Sequence, residues 1–343
     1  MELTPRKKAV LAAIVKAYIE TGEPVGSKIL SELIENAPST ATLRNEMNEL
    51  CSLGYLSQPH TSAGRVPTSS GYRMYIESLM KPSLLEDRTK RYIDGFMSMN
   101  EISAEDIPKA AAQSLSDLTG FPALFSYSAD NKVTFRQVQL LTVGRKSAVI
   151  LAVTSDGRTL SRMCRLAFEP SSDLVTGFQR IFADKLKSKP LIEFQPAFLQ
   201  NIVMSLGVNS LDMLPLFTEL FKMAYTAARP TVALSGASRL YNISSGDNAR
   251  RIMSLVSNAD LFLPVIEGIT DDKKVIFGND TLFPELSDMT VVAVSYGCKN
   301  RVCGKIGIIG PDRMSYERII PSIEYAAQEV SKLMTEAAKD MED

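Results

Sequence analysis

The sequence is short of the residues that most enzyme sites require. Its 343 residues include one histidine, His60, four cysteines and no tryptophan. A Ser-His-Asp triad has a single imidazole to draw on, and a Cys/His zinc cluster would be nearly all thiolate. Cys51, Cys164, Cys298 and Cys303 are too few and too scattered for a disulfide framework, so a reducing cytoplasm is the expected compartment. The strongest apolar run, around 148–153, falls far short of the roughly 18 residues of a helical membrane span. The basic residues near the start are not followed by the apolar stretch of a secretory signal. Net charge is lacking too: 38 Lys+Arg against 39 Asp+Glu leave −1. That excludes a uniformly cationic nucleic-acid coat but not a locally basic surface. Gly304-Lys305-Ile306-Gly307 lacks the P-loop spacing, and Gly304, Gly307 and Gly310 do not make the dinucleotide fingerprint. No metal and no cofactor are expected. What remains is an average folded composition, 45% hydrophobic and 22% charged, long enough for two or three domains.

The first eighty residues carry the most specific pattern. Val10, Leu11, Ile14, Val15, Tyr18 and Ile19 recur at helical spacing, with Thr4 as cap, Pro5 at the first helical position and Gly22 as terminator. A short second helix fits with Ser27 as its cap, Leu30, Leu33 and Ile34 facing inward and a break at Pro38. Ser39 caps a third helix reaching Gly54. Its buried side is Leu43, Met47 and Leu50, and its opposite side carries Ala41, Asn45, Asn48 and Ser52, flanked by Arg44 and Thr42. Arg suits guanine, Asn suits adenine, a small methyl group suits thymine, and the amides near Ser39 and Thr40 suit a phosphate. An ordinary amphipathic helix would show a similar face. The continuation shifts the balance toward DNA: a strand at 55–59, a tip from His60 through Thr61, Ser62, Ala63 and Gly64 to Arg65 (by itself as readily a solvated loop residue), a return at 66–67, and a last helix over 70–80 burying Tyr72, Tyr75, Ile76 and Leu79. Three helices and a hairpin make a winged helix-turn-helix, whose wing can reach a groove or the backbone of DNA.

Residues 1–80 hold eight basic and eight acidic side chains. The acids concentrate between Glu20 and Glu49, so 3–19 and 50–76, with Arg65 and Arg73, are expected to be locally positive. Residues 81–343 are balanced as well, at 30 basic and 31 acidic. DNA affinity is therefore expected to rest on a few placed charges.

Three strings and a short continuation carry a family resemblance. They are Glu20-Thr21-Gly22-Glu23-Pro24-Val25-Gly26-Ser27-Lys28, Ser39-Thr40-Ala41-Thr42-Leu43-Arg44-Asn45-Glu46-Met47, Gln58-Pro59-His60-Thr61-Ser62-Ala63-Gly64-Arg65-Val66-Pro67-Thr68, and Gly71-Tyr72-Arg73-Met74-Tyr75. Together they closely resemble HrcA, the heat-inducible transcription repressor family of bacteria. The resemblance implies a homodimer without enzymatic activity that binds an inverted-repeat operator upstream of chaperone genes and depends on the GroEL-type chaperonin. With it, the DNA-contacting set is Lys28, Ser39, Thr40, Ala41, Thr42, Arg44, Asn45, Asn48, His60, Thr61, Ser62, Arg65 and Arg73.

Beyond residue 80 the reading is coarser. Residues 81–103 are expected as a linker. A helix over 104–118, strands near 121–128, 138–143, 147–154 and 159–166, later strands near 290–296 and 302–309, and a helix over 315–338 indicate an α+β domain. Joined to the resemblance, this gives a GAF-like domain over 104–166 and 269–343, interrupted by a mostly helical dimerisation domain over 167–268. Two further functions are carried forward. One is a metabolite-sensing regulator with its ligand in the GAF-like domain, and the other is an enzyme of carboxylate or thiol type.

Overall fold

A computed structural model describes residues 3–60, 63–98, 106–128, 132–206, 212–271, 274–298 and 301–340. The first helix, α1 (Pro5–Thr21), begins where Thr4 Oγ1 accepts from Lys7 N and ends at Gly22, φ 72°. Gly26, not Ser27, caps α2 (Ser27–Leu33). Leu30 is fully buried, but Leu33 is 53% exposed, because a two-turn helix turns only one such residue into the crease beside its neighbours. Ser39 caps α3 (Thr40–Ser52), which buries Leu43, Met47 and Leu50. The wing is β1 (Leu56–Ser57) antiparallel to β2 (Val66–Pro67). Val25 adds a third, one-residue rung, exchanging both backbone hydrogen bonds with Arg65 at 2.9 Å. Helix α4 (Ser69–Met74) continues as a wider turn over Tyr75–Leu79 and buries Tyr72 and Tyr75.

The expected linker contains a helix, α5 (Asp87–Met97). Ile93 and Met97, one turn apart, are buried against α6 (Ile107–Thr119), which ends at Gly120 in the left-handed region. Strand β3 (Ala123–Tyr127) then leads into a separate module. There β4 (Phe135–Gly144), β5 (Ser147–Thr154) and β6 (Thr159–Arg165) form their own antiparallel sheet. Helices α7 (Ser172–Ile181), α8 (Pro196–Leu206) and α9 (Leu214–Ala228) complete the module. Its core is aromatic: Phe178 lies 5.1 Å from Phe217, and Phe194 lies 4.9 Å from Phe221.

The chain returns through β7 (Thr231–Ser235), α10 (Leu240–Ile243), α11 (Gly246–Ser257), α12 (Ala259–Glu267), β8 (Val275–Phe277), β9 (Met289–Cys298), β10 (Arg301–Pro311) and α13 (Tyr316–Asp340). The five strands order as β7-β3-β10-β9-β8, each antiparallel to its neighbour. One face packs on α6 and α13, the other on α11 and α12, so side chains alternate between the two cores. Ala123 faces the first core and Leu124 the second, as do Val292 and Val291.

This topology corrects the expected division. The strands over 135–165 do not belong to the interrupted domain, and 231–267 does not belong to the insertion. The module is the stretch between β3 and β7, and it is α+β, not mostly helical. Because Tyr127 pairs with Thr231, it occupies the place of a hairpin turn between two neighbouring strands.

The winged helix is not an isolated bead. Its core is continuous with that under α13 and β8. The Tyr72 ring lies 6.0 Å from both Phe277 and Tyr316. Tyr75 donates its hydroxyl to Glu317 Oε1 at 2.6 Å, and Lys16 Nζ lies 3.0 Å from the same oxygen. Burial raises the Glu317 carboxyl, but the hydrogen bonds from Tyr75 and Lys16 outweigh it and hold the group below its usual range.

Candidate nucleic-acid interface

Helix α3 presents one face to solvent because its other face is consumed by Leu43, Met47 and Leu50. Thr40, Ala41, Arg44, Asn45 and Asn48 are exposed, and Thr42 is half-buried. At the helix start Ser39 Oγ accepts from Thr42 N at 3.2 Å and lies 2.9 Å from Thr42 Oγ1. These two hydroxyls fix the first turn, which orients everything downstream on the face. Lys28 stands exposed on α2, and His60 is exposed three residues beyond β1, its carbonyl accepting from Ala63 N at 2.9 Å. Thr61 and Ser62 lie outside the described residues.

Arg65 is anchored rather than free. Nη2 donates to Asn48 Oδ1 at 2.7 Å, Nη1 donates to Ala63 O at 3.4 Å, and Nε is buried without a partner among the described residues. Next to it, a Cβ on Gly64 would collide with the backbone of Val25 and lie 2.7 Å from Pro24 C. The third rung of the wing therefore demands glycine, for want of space alone. The same holds at Gly71, where a Cβ would strike the carbonyl of Tyr55.

Ion pairs claim part of the expected positive charge. Arg73, expected among the DNA-contacting residues, is paired with Asp280 and its guanidinium lies 5.8 Å from the Phe277 ring centroid. The start of α1 is not a free basic patch either. Lys7 Nζ sits 2.8 Å from Glu49 and 3.3 Å from Glu46, and Arg6 lies 3.9 Å from Glu46. The hydrogen bond to Glu49 raises the Lys7 ammonium above its usual range, outweighing the desolvation that lowers it. The acids that seemed segregated in sequence cross directly over the α1 cations, because α1 packs on α3.

Among the described residues no group of His, Cys, Asp or Glu is placed to hold a metal ion, and no helix is long and apolar enough to cross a membrane. Gly304, Gly307 and Gly310 lie within strand β10 and make no phosphate loop. All four cysteines are free thiols. A cleft of about 350 Å³ lies between α4 and the five-stranded domain, floored by Ile76, Met80 and Val275. Its cations are already committed, Arg73 to Asp280 and Lys274 to Glu324, which leaves little to recognise an anionic metabolite.

The geometry up to this point is that of a winged helix with an accessible third helix. Comparison with known proteins resolves the family. Residues 2–79 match the winged helix-turn-helix transcription repressor, HrcA DNA-binding family, and residues 105–320 match the HrcA protein C terminal domain. The chain belongs to the HrcA family. Similar proteins include the heat-inducible transcription repressor HrcA of Brevibacillus brevis, 29% identical over 97% of this chain and 98% of that one. The same protein of Thermoanaerobacter pseudethanolicus is 29% identical over 99% of each chain. A crystal structure described as a hypothetical protein shares the fold, with TM-score 0.68 and 24% identity over 98% of this chain and 100% of that one. HrcA is a family of transcription repressors and not of enzymes, so the exposed face of α3 belongs to a repressor's DNA-binding unit.

Sequence reasoning missed the groups that seat this HrcA-family winged helix on the rest of the chain. Asp280, Phe277 and Glu317 stand more than 200 residues from Arg73, Tyr72 and Tyr75, and no local pattern marks such a pairing. The one legible signal was the buried spacing of Tyr72 and Tyr75 themselves.

Proposed function

We propose that the chain is a cytoplasmic homodimeric repressor of chaperone genes that binds an inverted-repeat operator and draws its active state from the GroEL-type chaperonin. The observation that carries the DNA reading is the exposed face of Ala41, Arg44, Asn45 and Asn48, rigidly backed by a buried one and flanked by the wing. In this reading Arg44 and Asn45 contact base edges, and Ser39, Thr40, Ala41 and Thr42 approach a backbone phosphate or a thymine methyl. Lys28, His60 and Arg65 flank them, and Thr61 and Ser62 complete the contacting set by their place in the sequence. Two copies related by a twofold axis match the symmetry of an inverted repeat, with recognition helices one or two turns of DNA apart, near 10 bp per turn.

Support for a dimer comes from the open face of the three-stranded sheet. Ala148, Ile150 and Ala152 of β5 point into the module, which turns Val149, Leu151 and Val153 outward. Leu141 and Met163, 45% and 67% exposed, flank Val149 in register on the two outer strands. An apolar row across an uncovered sheet is a surface that a second copy buries to advantage. Dependence on a chaperonin is what family membership suggests, and an exposed apolar face is compatible with it.

The test is a titration of labelled inverted-repeat DNA with the full chain, with and without chaperonin, at two temperatures. Tight binding that chaperonin enhances supports the whole reading. Tight binding indifferent to chaperonin removes that dependence alone, and no preference for the inverted repeat over scrambled DNA removes the operator.

A further inference from the structure

The residues that meet DNA lie on α3 and the wing, but the groups holding that unit in place lie elsewhere. Two polar links and one aromatic stack join it to the five-stranded domain. Arg73 is paired with Asp280 and lies over Phe277. Glu317, at the start of α13, takes the Tyr75 hydroxyl at 2.6 Å and the Lys16 ammonium at 3.0 Å. The Glu317 backbone carbonyl also accepts from Ser83 N at 2.9 Å, so the segment leaving the winged helix is tied to the same residue. Tyr72 is wedged between Phe277 and Tyr316. Meanwhile Arg44, Asn45 and Asn48 remain exposed. The junction leaves the recognition face open, so its effect is on orientation.

We propose that Asp280 and Glu317 are positioning residues for operator binding: through Arg73, and through Tyr75 and Lys16, they fix the angle at which each recognition helix is presented. This rests on the dimer and inverted-repeat reading. A dimer gains from its second half-site only if the second helix is already held where that half-site lies. A loosened junction lowers the effective concentration of the second helix and leaves the contacts of a single half-site untouched.

The test uses the full chain carrying Asp280→Asn or Glu317→Gln, neither of which touches α3 or the wing. Each is titrated on the full inverted repeat and on an isolated half-site. The expected result is a loss of at least about tenfold on the inverted repeat, with half-site affinity changed less than twofold. Equal losses on both DNAs, or no loss on either, overturn the proposal. A gain on both after Asp280→Asn also overturns it, because that result would mean Arg73 is a DNA contact released from its partner. Reversing the pair, Arg73→Asp with Asp280→Arg, is expected to recover most of what Arg73→Asp loses, and failure to recover counts against the junction. If Glu317→Gln unfolds at the assay temperature, Tyr75→Phe deletes a single hydroxyl from the same link and is read the same way. If the unaltered chain does not favour the inverted repeat over the half-site, the operator reading itself fails and the positioning proposal falls with it.

Discussion

The guanidinium of Arg65 donates to the side-chain oxygen of Asn48 at 2.7 Å, joining the wing to the exposed face of α3. Two groups that sequence reading assigns to separate DNA contacts are thus one unit before DNA arrives. Arg65→Ala and Asn48→Ala should each weaken operator binding, and the double variant should lose less than the sum. A coupling of about 0.5–3 kcal/mol is expected in a double-mutant cycle of affinities. Strict additivity would show that the contact has no role in binding.

Arg44 is exposed near the middle of the α3 face. Arg44→Ala should cost about 1–3 kcal/mol on the operator and little on scrambled DNA, because a base-edge contact discriminates where a phosphate contact does not. Parallel gel shifts on the two DNAs measure this, and an equal loss on both would reassign Arg44 to the backbone.

Tyr72 places its hydroxyl in the junction core with no hydrogen-bond partner among the described residues, and burial drives that hydroxyl far above its usual titration range. Tyr72→Phe should therefore be neutral or stabilising by about 1 kcal/mol, since it removes an unsatisfied polar atom and keeps the ring. Phe277→Ala, against the same ring, should destabilise by about 3–5 kcal/mol. Thermal or urea unfolding of both variants checks the pair, and a loss on Tyr72→Phe would reveal a partner for the hydroxyl.

Gly64→Ala tests the wing. The added methyl group meets the Val25 backbone, which cannot yield without breaking the rung to Arg65. A destabilisation of about 1–3 kcal/mol is expected, together with weaker operator binding. Wild-type melting and affinity would show that the wing rearranges freely.

Glu317 predicts a pH dependence with a definite sign. Its carboxyl is held below its usual range by Tyr75 and Lys16, so its contribution is complete above the unfolded value of about 4.3. It is lost as pH falls through the folded value. The stability difference between the unaltered chain and Glu317→Gln should thus be constant from about pH 6 to 8 and shrink under acid, read from unfolding midpoints across pH. A difference that grows under acid would contradict this sign.

Much of the winged helix is legible in the sequence because its determinants are local. Thr4, Pro5, Gly22 and Ser39 mark helix ends through their own backbone chemistry, and Leu43, Met47 and Leu50 reveal a buried face by spacing alone. What local pattern cannot carry is partnership. Nothing in the strand at 147–154 says which sheet it joins, and hydrogen bonding to β4 and β6 decides it. Nothing local to Arg73 announces its pairing with Asp280, and nothing in the basic stretch around Lys7 announces that α1 crosses Glu46 and Glu49. Helix α5 is partly legible in hindsight, since Ile93 and Met97 sit four apart, but the charged residues around them conceal the stripe.

The core shared by the winged helix and α13 sets an order in time. Synthesis runs from the N-terminus, so Tyr72 and Tyr75 leave the ribosome with their partners Tyr316 and Glu317 still untranslated, about 240 residues behind. At about 5–20 residues per second that interval is on the order of ten to fifty seconds. Throughout it, the apolar underside of a nearly finished DNA-binding unit has nothing to rest on. The contacts that seat the winged helix are complete only once α13 has been made.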